Sequence, residues 1–407
     1  MQERGFSVKI FDYAQKRFGA FKKGQYPGVG QKSHWSLRNS IPDLDREKIT
    51  FCTRPERMFD NSPVHLIATP IVDKGKAKGL NLKDLSGIFI KNASAETLVL
   101  FQAFGVPGQI DELFCQPLKK AGVHCHVGTA FRSDWVVEEF NNSKSQMLAA
   151  NTEKALEKTK AFFNLLGISH ALLGSIKEAE VFENAKNALN YTTTAFVNQL
   201  ALAYPNIDVQ KVTRSLLSQV DLSTCQLSIG AGGYRMPFSV DALLAGSEMP
   251  ECLSILKEAA SVNFSTVLCY SEYLVRKNYK AVLILGISNR ENQKDLMAIS
   301  PSLTLAETLK DRGLKIFLND PHYSPAELKK LVPFCGAVSL EKLPSELDAI
   351  IVMSAHSRYR YLSQKELDAI IHPNVKLIID NTGIFNDYRF KHAKYHQVGD
   401  GKINILK

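Results

Sequence analysis

Residues 280–320 read KAVLILGISNRENQKDLMAISPSLTLAETLKDRGLKIFLND, and this stretch decides the fold. KAVLILGI (280–287) is an almost unbroken apolar run of strand length. SLTLAETLKDRG (302–313) has apolar residues at helical spacing and stops at a glycine, and LKIFLND (314–320) is apolar again. Strands without polar alternation are covered on both faces, so the intervening helix must lie on a parallel sheet. The unit repeats downstream as helix PAELKKLV (325–332), strand DAIIVMSA (348–355), helix SQKELDAII (363–371) and strand VKLIIDN (375–381). Residues 279–407 are therefore expected to form a doubly wound parallel sheet.

Upstream, the pattern is helical. TEKALEKTKAFFNLL (152–166) ends at Gly167, EAEVFENAKNALNYTTTAFVNQLALAY (178–204) ends before Pro205, and VQKVTRSLLSQV (209–220) and LSILKEAASVNFSTVLCYSEYLVRK (253–277) follow. Residues 141–278 are assigned to a central helical domain. Before it, residues 1–140 alternate again: strand GFSVKIFD (5–12), helix AQKRFGAFKKG (14–24), and strands VHLIATP (64–70) and GIFIKNA (87–93). The chain opens on what looks like the second strand of a nucleotide-binding unit, and GxGxxG is absent from it. A start codon placed too late, removing a strand–loop–helix of roughly 20–30 residues, accounts for this better than gene decay, because the phase is kept from residue 5 onward.

Composition is that of an ordinary globular protein, 45% hydrophobic and 22% charged. The net charge of +9 is scattered without a basic tract, so nucleic-acid binding has no support and the excess suits a small anion at most. Seven cysteines without any CxxC suggest reduced thiols, with neither a disulfide framework nor zinc. No apolar stretch approaches the ~18 residues of a membrane span, and no secretory layout is present, so a cytoplasmic location is expected.

Several motifs, in order and over nearly the whole chain, resemble the UDP-glucose/GDP-mannose dehydrogenase family, whose members oxidise a sugar C6 alcohol to the carboxylate with two NAD. AEVFENAKNALNYTTTAFVNQLAL resembles the family's A-E-x-x-K-x-x-x-N helix leading into F-x-N-E-L. GAGGYRMPFSVDALL (230–244) resembles its G-F-G-G-S-C-F-P-K-D loop, and LGISNRENQKD (285–295), ISPS and NDPH resemble its last signature. The resemblance implies an α/β fold of two Rossmann-like doubly wound sheets joined by the central helical domain, the first sheet lacking its initial strand and glycine loop. It also implies a homodimer through the central helices, NAD as cofactor and a nucleotide sugar as ligand. On the cofactor side it places Asp12 at the ribose-binding acid, Arg17 in the following helix, Thr69 in the V-x-T-P turn and Arg290 at a lysine position. On the substrate side it places Asn187, Gly230, Gly232, Gly233 and Arg235.

The family's chemistry needs a thiolate that captures the aldehyde before the second hydride leaves. Arg235 stands at that position, and a guanidinium stays protonated. Glu183 replaces the helix lysine, reversing a charge meant for a developing alkoxide. Phe104 stands at the threonine position, Ala130 at the glutamate, and Phe238 and Ser239 at the loop's K-D pair, with Asp241 two residues on. No catalytic residue is assigned, and the family reaction as written should not run. Two readings remain: a dehydrogenase homologue with altered or lost chemistry, and a non-catalytic nucleotide-sugar-binding or dimerising subunit. His124 and His126 of HCH read as polar strand residues sharing one face, Cys225 is the thiol nearest Arg235 in sequence, and His356 reads as a structural hydrogen-bonder.

Overall fold

The computed structural model describes residues 6–12, 48–68, 82–103, 105–131, 146–219, 227–233, 235–288, 291–294 and 300–406; the Arg235 side chain lies outside this description. The chain divides into two compact units, the first built mainly from residues up to Lys186 together with Asp241–Pro250, the second from Asn187–Val240 and Glu251–Lys407.

In the first unit, β1 (Val8–Phe11) and β2 (Ile49–Cys52) form a parallel pair of their own. A separate five-stranded sheet runs β3 (Val64–Ile67), β4 (Leu98–Phe101), β5 (His126–Ala130), β6 (Gln146–Ala150) and β7 (His170–Leu172). All its pairings are parallel except β5 with β6. Its core packs Leu98, Leu100, Ala130 and Leu148 against Phe162 and Phe163 of helix Glu153–Leu165. That helix starts where the Thr152 side chain accepts the Ala155 N–H at 3.1 Å, and Gly167 follows its end at φ +69°.

The second unit carries the expected sheet. Strands β8 (Ala281–Leu285), β9 (Lys315–Asn319), β10 (Gly336–Ala337), β11 (Ala349–Val352), β12 (Leu377–Asp380) and β13 (Lys394–Gln397) are all parallel in the order β10-β9-β8-β11-β12-β13. This is the doubly wound order of a dinucleotide-type fold. Val282, Ile284, Ile316, Leu318, Ile351 and Ile379 face one core with Val267, Tyr270 and Leu274 of helix Ser254–Arg276. Leu283, Leu285, Ile350 and Ile378 face the other. Helices Pro325–Leu331 and Gln364–Ile370 both begin with reciprocal capping boxes, Ser324 with Glu327 and Ser363 with Glu366.

Several expectations are corrected. GIFIKNA is not a strand; it ends helix Leu82–Asn92, which buries Leu82, Leu85 and Phe89 on one face. A short apolar run has no readable period of its own, and the 82, 85, 89 spacing decided the outcome. Two strands, β6 and β7, lie in the stretch read as helical, because a strand shielded by a helix need not alternate. His124 is exposed and precedes β5, so only His126 sits in the strand and the pair does not share a face. Pro250–Arg276 is long and apolar enough to cross a membrane by length and composition, which the sequence reading had excluded. Its buried Asn263, Tyr270 and Leu274 nevertheless make it part of the second unit's interior.

Candidate functional site

In a doubly wound sheet, ligands bind outside the carboxyl ends of the strands, where the winding order reverses. Here the reversal lies between β8 and β11. β8 runs directly into Gly286 at φ +88°, where an added Cβ would meet the Ser354 Cβ at 2.5 Å. Only glycine lets the loops after β8 and β11 pass this closely. Helix Pro301–Asp311 starts at the same edge, since its N-cap Ser300 accepts the Leu303 N–H and donates to the Ile287 carbonyl at 3.4 Å. The positive end of that helix is thereby directed at the crevice, as anion sites require.

Asp320, one residue past β9, organises this edge. Its Oδ2 accepts the N–H groups of Ile287 (2.9 Å) and Ser288 (3.1 Å) and the Ser288 hydroxyl (3.0 Å), while Oδ1 accepts the His322 N–H at 2.9 Å. His356 Nε2 stands 3.2 Å from the same Oδ2, and the His322 ring lies 4.9 Å from the His356 ring. Burial pushes the Asp320 carboxyl up, but the hydrogen bond from His356, with the His322 and Ile287 N–H groups, outweighs it and holds the group below its ordinary range. Burial lowers the His322 imidazole.

Asp380, at the end of β12, does similar work. It accepts from the Thr382 N–H and hydroxyl and the Gly383 N–H, each at 2.8 Å, and from the Phe385 N–H and the Tyr395 hydroxyl. The fold thus fixes the turn that presents Asn381. Asn381 Oδ1 accepts the Ile229 N–H at 2.7 Å, which brings the 227–233 loop to the carboxyl edge. A chain of buried amides holds the loop from behind. Asn198 Oδ1 accepts the Ser228 N–H (2.9 Å), Asn198 Nδ2 donates to Asn263 Oδ1 (3.3 Å), and Asn263 Nδ2 donates to the Tyr191 carbonyl (3.2 Å). The loop is thereby tied to helices Ile176–Ala203 and Ser254–Arg276.

The residues singled out from sequence fall as follows. Gly230 (φ +74°) and Gly233 (φ +97°) are left-handed, and both are buried with Gly232. The side of Gly230 that lacks a Cβ faces Val267 Cγ2 at 2.8 Å and the Asn263 carbonyl at 3.0 Å, so this glycine lets the loop meet a helix. Arg235 is the first residue of helix Arg235–Gly246. Asn187 is buried in the long helix, and Glu183 is 1% exposed with the Lys186 ammonium 2.6 Å from its Oε2. Asp12 follows β1 and is half-buried. Arg17, Thr69, Phe104, Cys225 and Arg290 lie outside the described residues. Among the described residues no cluster of His, Cys, Asp and Glu has the arrangement of a metal site. Asn198, Asp320 and Asn381 received no role from the sequence. Asn198 and Asp320 sit inside the quoted FVNQL and NDPH motifs, which was the available signal.

A dinucleotide needs an acid for its ribose and a glycine turn at a helix N-terminus for its pyrophosphate. Asp12, at the end of a parallel strand, stands at the position that the resemblance gives to the first. For the second, the sequence has no GxGxxG, and the described residues of the first unit offer no glycine turn between a strand and a helix start.

Comparison with known proteins bears on the whole arrangement. Residues 283–387, the stretch that builds the carboxyl edge, match the family model of the UDP-glucose/GDP-mannose dehydrogenase family, UDP binding domain. An NDP-N-acetyl-D-galactosaminuronic acid dehydrogenase of Ralstonia nicotianae is 22% identical over 255 residues, which is 60% of this chain and 57% of that relative, so the match spans little more than half the relative's length. The UDP-D-ManNAc dehydrogenase of Pyrococcus horikoshii superposes with a TM-score of 0.79 at 17% identity, covering 98% of this chain and 95% of its own. A UDP-glucose dehydrogenase of Pyrobaculum islandicum gives 0.77 at 17% identity, over 97% and 92%. At such identities the superpositions establish a shared fold. Taken with the domain match, they show that residues 283–387 carry the UDP binding domain of the UDP-glucose/GDP-mannose dehydrogenase family on a chain that shares the fold of these dehydrogenases.

Proposed function

We propose that this protein is a nucleotide-sugar-binding homologue of the C6 dehydrogenases that has lost the oxidation to the acid. The observation that carries the reading is Arg235, at the start of helix Arg235–Gly246, two residues after Gly233 in the sequence. The resemblance requires a thiolate there, and a permanently protonated guanidinium cannot attack a carbonyl carbon. The same cation suits a bound diphosphate or sugar hydroxyl. Glu183, paired with Lys186, stands in place of the second cationic group of the reaction.

The ligand in this reading is a UDP- or GDP-sugar held at the carboxyl edge of the six-stranded sheet, between the start of helix Pro301–Asp311 and the 227–233 loop. NAD is the cofactor that the resemblance implies, with Asp12 as the acid for its ribose. The protein acts in the cytoplasm as a homodimer formed through the central helices, where Leu189 (56% exposed), Phe196 (49%) and Phe264 (53%) leave apolar surface uncovered. A purely dimerising subunit is the second reading, favoured by that same surface. Isothermal titration of the whole protein with UDP, GDP and a panel of UDP- and GDP-sugars tests the proposal. Saturable binding of at least one sugar nucleotide, tighter than of UMP, is expected; heat-silent titrations throughout contradict it and leave the second reading.

A further inference from the structure

In the first unit, the loop after β4 is gripped by two side chains one helical turn apart. The Glu180 carboxyl accepts the Gly108 N–H at 2.7 Å through Oε2 and the Ile110 N–H at 3.4 Å through Oε1. Asn184 Nδ2 donates to the Gly105 carbonyl at 2.9 Å and to the Glu180 carbonyl at 2.8 Å. Helix Arg235–Gly246 closes on the loop as well, because a Cβ at Gly246 would meet Pro107 Cδ at 2.9 Å. Both Glu180 and Asn184 are fully buried.

Two details of this grip belong together. The bonds accepted by Glu180 are unequal: Oε2 makes a short one, and Oε1 barely reaches Ile110. Asn184 Oδ1, meanwhile, is buried and has no hydrogen-bond partner among the described residues. Native interiors seldom leave a buried acceptor without a donor. Residues four apart share one helix face, so the missing donor belongs at the Glu180 position. A protonated acid supplies it: one oxygen still accepts Gly108, and the other, carrying the proton, donates to the amide.

We propose that Glu180 is held as the neutral acid, that its Oε1 proton engages Asn184 Oδ1, and that this proton locks the 105–110 loop to the long helix until alkaline conditions remove it. The surroundings agree. Burial pushes Glu180 up to about 7, against the pull of the Gly108 and Ile110 N–H groups. Asp111, at the start of the π-helical turn that follows the loop, pushes the same way, and Lys177 on the helix opposes it. Cys115, at the end of that turn, is itself pushed up to about 12, first by burial, and stands beside Glu180 as a neutral thiol. Because the folded value lies above the ordinary 4.5, the folded chain keeps a proton the unfolded chain releases. The stability this group supplies is full below that ordinary value and is lost as pH rises through about 7. The inference rests on the first unit alone and is independent of what the second unit binds.

Amide hydrogen exchange of the whole protein, read at Gly108 and Ile110 and corrected for intrinsic base catalysis, tests it. In the wild type, protection of both amides is expected to fall several-fold from about pH 6 to about pH 8, one unit either side of the transition. Glu180→Gln supplies one acceptor and one donor permanently, so its protection stays level over the same range. Identical pH dependence in wild type and Glu180→Gln overturns the proposal. Infrared difference spectra of the wild type between the two pH values give a second readout that needs only a folded wild type: a buried protonated carboxyl band is expected at the acid end and lost at the alkaline end, and no such band at either end also overturns it.

Discussion

The His356 Nε2 to Asp320 Oδ2 contact, 3.2 Å long between two fully buried side chains, has only one proton arrangement. His356 Nδ1 accepts the Asn292 N–H at 2.9 Å, so it carries no hydrogen, and the ring's proton must sit on Nε2. The imidazole is a neutral donor to the carboxylate. With both nitrogens engaged it has no lone pair to offer a substrate, which fits a structural hydrogen-bonder and excludes it as a free general base in this arrangement.

His356→Ala should therefore cost roughly 1–3 kcal/mol of unfolding free energy, the usual effect of taking the donor from a buried acceptor. Urea denaturation of wild type and variant measures it. The acid limb gives an independent check. Asp320 is held below its ordinary 3.8 in the folded state, so the stability it supplies is present above that value and disappears as pH falls through the lower folded one. Asp320→Asn should flatten that part of the acid transition.

Gly230→Ala should destabilise the second unit by about 1–3 kcal/mol, because a left-handed φ of +74° and a Cβ 2.8 Å from Val267 Cγ2 act together. Gly87→Ala is the control, since it sits in a helix with nothing within 4 Å of the added carbon, and it should be neutral or slightly stabilising. Thermal melts of the two variants decide the point.

Glu183→Lys puts back the residue the family resemblance calls for, yet it should not restore oxidation. The position is 1% exposed and lies one turn from Lys186, so the change sets two cations together and leaves a buried one unpaired. A loss of roughly 2–5 kcal/mol is expected. Glu183→Gln, which removes the charge without reversing it, should lose less, and denaturation of both variants gives the comparison.

Leu189 and Phe196 lie seven residues apart on one helix and so share a face. If they form the centre of the homodimer, Phe196→Asp should convert it to monomer in light-scattering chromatography, with the circular dichroism of the folded chain retained. A wild-type protein that is already monomeric at micromolar concentration would remove that part of the reading.

Strands β8, β9, β11 and β12 of the second sheet were legible in the sequence because each is a near-continuous apolar run with helices between, as strands covered on both faces should be. β10 escaped notice because it is only two residues, GA, and β13 because KYHQ is largely polar; both are defined by backbone pairing to neighbours. The first unit read less well for the reason seen in helix Leu82–Asn92: eleven residues with a β-branched and aromatic end satisfy both periods until their neighbours choose. At the site, the glycines and Asn187 were visible through motif spacing. The amide chain through Asn198 and Asn263 was not, because those residues are 65 apart and nothing local marks a side chain that bonds across helices.

Mass spectrometry of the sugar-nucleotide pool after incubation with NAD tests the central claim most directly. With UDP- and GDP-sugars supplied in turn, no nucleotide-linked uronic acid should form above the enzyme-free control if Arg235 stands, as proposed, where sulfur would have to bond to carbon. Continuous accumulation of the uronate, with NADH rising at twice its molar amount, would contradict the account.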